Sequence, residues 1–161
     1  MKAVVNSTPL IALAVTGHVT ILKALFDEVY IPPSVYGEVV AKGKSRPGVA
    51  EIRNAKWLIV KAPQQKTSLP AELLGLDPGE RDVILLGQEV TADWLLIDEK
   101  LARRVADVMG FRVKGTLGLL LIAYRTSLLT RPEAQKAART LGQSSIRLSQ
   151  KLLEWFEDQL T

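Results

Sequence analysis

Cysteine is absent from the 161 residues, and histidine occurs once. The first absence excludes disulfides, zinc–thiolate centres and thiol nucleophiles. The second excludes multi-histidine metal sites. A Ser-His-Asp arrangement could draw only on His18, and no G-x-S-x-G elbow is present to carry its serine. His18, within "VTGHVTIL", reads as a helix-start or surface residue. No apolar run approaches the ~20 residues of a membrane span. The opening "MKAVVNSTPLIALAVTG" is broken by Asn6, Ser7, Thr8 and Pro9, unlike a secretory leader. A cytoplasmic protein with no membrane association is expected. The stretch "NSTPLIAL" also lacks the G-x-G-x-x-G turn of a dinucleotide fold, and no P-loop occurs.

What is present is an ordinary globular composition, 47% apolar and 24% charged, of a size that buries a substantial core. The net charge of +4 is uneven. Residues 1–100 hold eleven Lys and Arg against twelve Asp and Glu, whereas residues 101–161 hold ten against five. A basic final third beside an acid-bearing body suits either a polyanion-binding surface or a solvated helical one.

Strand and helix signals alternate. "KAVV", "EVYI", "WLIVKA", "WLLI" and "FRV" read as strands, the third at an edge or in a small excursion. Thr8 is placed to cap the first helix with Pro9 at its first position, and Gly17 stops it. A short helix covers about 18–25, and another runs from the prolines at 32–33 to Gly43. "PQQKTSLPAELLG" reads as a surface connection. "DPGERDVILLGQEV" carries a strong helix start: Asp77 as cap, Pro78 at the first position and Glu80 two residues on. Helices at "EKLARRVADVM", stopped by Gly110, and at "GTLGLLLIAYRTSLL" follow, then two more at about 132–141 and 148–160. In the last, Leu148, Leu152, Trp155, Phe156 and Leu160 recur at helical spacing. This alternation implies a three-layer α/β/α sandwich with a mainly parallel central sheet. One domain over 1–161 is expected, with a core of about 1–129 and a C-terminal helical extension of about 130–161.

Ligands of open parallel sheets bind at the carboxyl edge of the strands. Asn6 follows "KAVV", and Asp98 with Glu99 follows "WLLI", so these come together in prospect with the helical acids Glu38 and Glu80. Converging carboxylates repel one another unless a cation balances them. Magnesium or manganese with oxygen ligands would do so, and could activate water against a phosphodiester. Each residue also has a purely structural reading. Glu80 completes a capping box with Asp77, Asp98 caps the next helix, and Glu99 favours that helix's dipole. Glu38 pairs with Lys42, and Asn6 is a turn residue. A phosphotransfer receiver domain shares the strand-end acids but needs an early acid pair that is missing.

The segments "VVNSTPLIALAVTG", "FDEVYIPPSVYGEV" and "LDPGERDVILLGQEVTADWLLIDEKLARRVADVMGFRVKGTLGLLLIAYRTSLL" resemble, in order and spacing, the PIN-domain family. The closer resemblance is to its branch related to VapC-type toxin ribonucleases, and "IRLSQKLLEWFEDQL" looks like that branch's closing helix. The resemblance implies a PIN-like fold and an Mg2+- or Mn2+-dependent endoribonuclease. It implies further the toxin of a toxin–antitoxin pair, with RNA as substrate, a small antitoxin protein as partner and a homodimer as assembly. By position Glu38 matches the second acid of the metal site, Glu80 the third, and Asp98 or Glu99 the fourth. Ser7 and Thr8 match the small hydroxyl residues beside the first acid. Asn6 stands where active PIN nucleases carry aspartate, which leaves a catalytically weak RNA- or protein-binding module as the second reading. Arg103, Arg104 and Lys114 are candidate phosphate contacts, and the helix opening at Gly115–Thr116 is a candidate anion site, with Thr116 a substrate-binding residue.

Overall fold

The computed structural model describes residues 1–42, 46–64, 69–146 and 148–161. Its sheet has five parallel strands: β1 (Lys2–Val5), β2 (Glu28–Ile31), β3 (Leu58–Val60), β4 (Trp94–Leu96) and β5 (Arg112–Lys114), in the order β3-β2-β1-β4-β5. The four-residue β1 is central because nothing in it needs solvent beyond Lys2; Ala3, Val4 and Val5 are fully buried. It pairs with β2 through Lys2↔Glu28 and with β4 through Val5↔Leu96. The strand "WLIVKA" joins this same sheet as its edge, and its exposed Ile59 and Val60 reflect that position.

Helices α1 (Ser7–Val15), α2 (Thr20–Leu25), α3 (Pro33–Lys42), α4 (Val49–Arg53), α5 (Pro78–Glu89), α6 (Lys100–Val108), α7 (Thr116–Arg125), α8 (Arg131–Gly142) and α9 (Gln150–Gln159) surround the sheet. The layers are those of a PIN-like α/β sandwich. The expected surface connection before α5 contains a 3-10 turn at Ala71–Leu73 that drives Leu73 fully into the core. Thr8 is not the cap of α1. That helix begins two residues earlier than expected, Asn6 occupies the cap position, and Thr8 lies inside the first turn. Gly17 and Gly110 do end their helices, with φ of 77° and 89°, conformations that a side chain would strain. The Gly43 stop lies outside the described residues, as does the Lys42 side chain proposed to pair with Glu38.

The apolar faces of α1 and α2 are covered within the chain: Leu10, Leu13, Ile21 and Leu22 are all buried. Helices α8 and α9 close over α1 and α7, and α9 seats Phe156 and Leu160 at zero exposure. Their side chains belong to the same apolar cluster as the strands. Truncating Phe156 to alanine is therefore expected to lower the global unfolding free energy by about 3–5 kcal/mol. Urea denaturation checks this, and a loss below about 1 kcal/mol would mean that α9 is peripheral.

Candidate metal centre and groove

Strand order reverses between β1 and β4, so the crevice beyond their carboxyl ends is the place where an open parallel sheet receives a ligand. The Asn6 amide N–H donates to the Leu96 carbonyl at 2.9 Å, extending the β1–β4 ladder by one bond. Asparagine at a helix start normally accepts from the first-turn N–H groups. Here its side chain makes no capping bond. Nδ2 instead reaches across the crevice and donates to Glu99 Oε2 at 3.1 Å, while Thr8 Oγ1 donates to Glu99 Oε1 at 2.7 Å. Asn6 and Ser7 are both buried, so this contact lies at the wall of the fold.

The two consecutive acids diverge. Glu99, not Asp98, occupies the cap position of α6, and it makes no side-chain cap. Asp98 points to the next element, where Oδ1 accepts from Thr116 N–H at 2.8 Å and Oδ2 from the Thr116 hydroxyl. The anion received at the start of α7 is thus the chain's own carboxylate, and both polar groups of the buried Thr116 are used by it. Gly115 makes this approach possible: a Cβ there would lie 2.7 Å from Asp98 Oδ1 and 2.5 Å from Arg103 Nη1. Burial pushes the Asp98 carboxyl above the usual carboxylate range. The two Thr116 bonds and the Arg103 charge pull the other way, and Glu99 adds to the rise.

Glu80 satisfies its structural reading in full. Its N–H donates to Asp77 Oδ1 at 2.8 Å, and its Oε2 accepts from Asp77 N–H at 3.1 Å, a complete capping box. It also faces the other acids. Burial is the largest cause of its raised pKa; the Asp77 N–H opposes it, and the charges of Asp77, Glu99 and Glu38 raise it further. The half-buried Glu38 reaches the start of α5 from α3, with Oε2 3.9 Å from the place of a Cβ on Gly79. Capping and membership of an acid group are therefore compatible at Glu80. Among the described residues no three Asp, Glu or His side chains stand close enough to hold one ion. The donors are nonetheless all oxygen, the chemistry that hard divalent cations take, and the charges of Asp77, Glu99 and Glu38 that add to the burial of Glu80 are ones that a cation would offset.

A cavity of about 930 Å3 is lined by Thr8, Asp98 and Glu99 together with Leu152 and Trp155 of α9; Glu38 and Glu80 do not line it. The sequence sets Trp155 on the apolar stripe of the last helix but does not bring it to the acids. Helical spacing alone groups Leu152, Trp155 and Phe156 together and carries no signal that Trp155 overlooks the acids while Phe156 enters the core. Arg103 and Lys114 line the cavity, whereas the exposed Arg104 does not. Lys114 Nζ lies 5.1 Å from the centre of the Trp94 ring, and Arg112 Cζ lies 4.9 Å from it.

A family model described as the PIN domain matches residues 2–160, and the chain belongs to that family. No curated protein matches it. No helix among the described residues is long and apolar enough to cross a membrane.

The raised carboxyls fix the sign of one pH effect. A carboxyl whose folded pKa lies above its unfolded value binds protons more tightly when folded, so its contribution is present at low pH and lost as pH rises through the folded value. Glu80→Gln keeps the acceptor for Asp77 N–H and removes the charge. Its melting temperature is expected to exceed that of the parent at pH 7, with the gain shrinking as pH falls through the ordinary carboxylate range. Scanning calorimetry across pH checks this; a gain that grows in acid would contradict it.

Proposed function

We propose that the chain is a divalent-metal-dependent endoribonuclease whose metal site is weakened at its first position. What supports this is the place of Glu99 beside Asn6 at the carboxyl end of β1 and β4, together with Glu80, whose pKa is raised first by burial and then by the charges of Asp77, Glu99 and Glu38. Glu38, Glu80 and Glu99 would hold Mg2+ or Mn2+, with Asp98 behind them and the Asn6 carbonyl as a neutral ligand after rotation of its amide. The ion, when bound, supplies activation of water and neutralisation of charge on the phosphodiester. Thr8 holds the Glu99 carboxylate in place, Thr116 does the same for Asp98, and Ser7 starts the helix that presents Thr8. Arg103 beside Asp98 would receive a substrate phosphate, and Ser7, Thr8 and Thr116 border the bound strand.

The role that fits this activity is the toxin of a toxin–antitoxin pair, acting in the cytoplasm and silenced by a small antitoxin protein. A homodimer would pair the exposed Leu101 and Val108, which lie seven residues apart on α6. The second reading, a catalytically silent RNA- or protein-binding module, is favoured by one contact. Asn6 turns its N–H rather than its carbonyl toward Glu99, so the carboxylate already has a partner without a cation.

Purified protein is expected to cleave RNA only when Mg2+ or Mn2+ is added. An Asp98→Ala, Glu99→Ala double variant should lower the rate by about a hundredfold or more. Cleavage that persists unchanged in the variant would remove these residues from the reaction, and the absence of metal-dependent cleavage in the parent would favour the silent module.

A further inference from the structure

We infer that the groove beneath α9 is the path of a single-stranded RNA, with Trp155 as its base-stacking platform and Lys151 as a phosphate contact. The inference rests on the RNA reading of the acidic site, but not on cleavage. Helix α9 carries two adjacent aromatics and treats them oppositely: Phe156 has zero exposure, whereas Trp155 is 43% exposed and lines the cavity. Leu152, one turn earlier on the same wall, is 46% exposed. A large indole left half in water, beside the acids of a nuclease-family fold, needs an occupant of matching chemistry.

Charge selects that occupant. Arg46, Arg103, Lys114 and Lys151 come from four separate parts of the chain to line the cavity, while its acids are Asp98 and Glu99. Glu154, Glu157 and Asp158 of α9 do not line the cavity; Glu154 accepts from Gln150, and Glu157 from Gln135 with Arg131 beside it. The helix thus separates its charges, cation toward the groove and anions away. A polyanion with flat apolar groups fits an aromatic face inside a cationic rim, and single-stranded nucleic acid is such a ligand. A duplex hides its bases in the stack and offers Trp155 nothing to cover. The volume of about 930 Å3 lies at the upper end of the roughly 300–1,000 Å3 of small-ligand sites, room for a stretch of strand rather than one base. Threaded this way, a strand stacked on Trp155 would pass Arg103 and reach Asp98 and Glu99.

The test is fluorescence anisotropy of a fluorescein-labelled oligouridylate with the full chain in EDTA, so that binding is read without turnover. Trp155→Leu keeps an apolar side chain and removes the π-face; it is expected to weaken binding about tenfold, whereas Trp155→Phe stays within about threefold. Lys151→Gln should reduce the slope of log affinity against log salt by about 0.7. A duplex of the same length should bind more weakly than the single strand. Equal binding by the parent and Trp155→Leu overturns the platform, as does an equal loss in the Leu and Phe variants accompanied by a lower melting temperature. No oligonucleotide binding at low salt overturns it too, and would point to a protein occupant. Trp155-dependent binding without metal-dependent cleavage keeps the platform and removes the nuclease reading. Cleavage with Trp155-independent binding does the reverse.

Discussion

The contact on which the site depends is the hydrogen bond from Asn6 Nδ2 to Glu99 Oε2. It joins the residue after the central strand to the residue that opens α6, across the point where strand order reverses. Two aspects make it decisive. A carboxylate at the wall of a core must find a donor or a cation, because desolvation penalises its charge. The amide of Asn6, with the hydroxyl of Thr8, supplies donors to both oxygens. An aspartate at position 6 would set two carboxylates about one hydrogen bond apart, and only a cation would balance them. Asparagine therefore lets the apo fold close over Glu99 without metal, and it lowers the charge that attracts one.

The rest of the site follows the same economy of charge. Asp98 is accommodated by the N–H and hydroxyl of Thr116 at the start of α7, where the helix dipole favours an anion. Glu80 is tied by its capping box at the start of α5. Asp98 and Glu80 are thus each fixed by the beginning of a helix, and burial, with a contribution from neighbouring charges, leaves both carboxyls raised. Around this acidic centre the cavity turns basic, with Arg103 next to Asp98 and Lys151 on the far wall. An anionic centre within a cationic surround draws in a polyanion and holds its phosphates beside the carboxylates, which a uniformly acidic or basic surface would not do.

Much of this was legible in the chain because its signals are local. The Asp77-Pro78-Glu80 start and the Gly110 stop each depend on a few neighbouring residues, and the structure reproduces them. The parallel sheet and the meeting of Asn6 with residues 98–99 followed from strand alternation and the rule for carboxyl edges. The failures occur where a side chain chooses a distant partner over a near one. Thr8 looked like a cap because its hydroxyl had a helix beside it, yet it bonds Glu99, 91 residues away. Asp98 looked like the cap of α6, yet it prefers Thr116, 18 residues on, and cedes the position to Glu99. The groove was illegible for the same reason. Nothing local in "KLLEWFEDQL" says that the Trp155 face, rather than the Phe156 face, will overlook the acids.

The central claim is that the Asn6 amide stands in for a cation at Glu99. Calorimetric titration of Mn2+ into the parent and an Asn6→Asp variant tests it most directly. The variant should bind at least about tenfold more tightly, a fraction of the ~4 kcal/mol that an added unit charge gives at 4 Å in an effective dielectric of 20. It should also melt at a lower temperature than the parent when metal is removed. Unchanged or weaker manganese binding in the variant would contradict the claim.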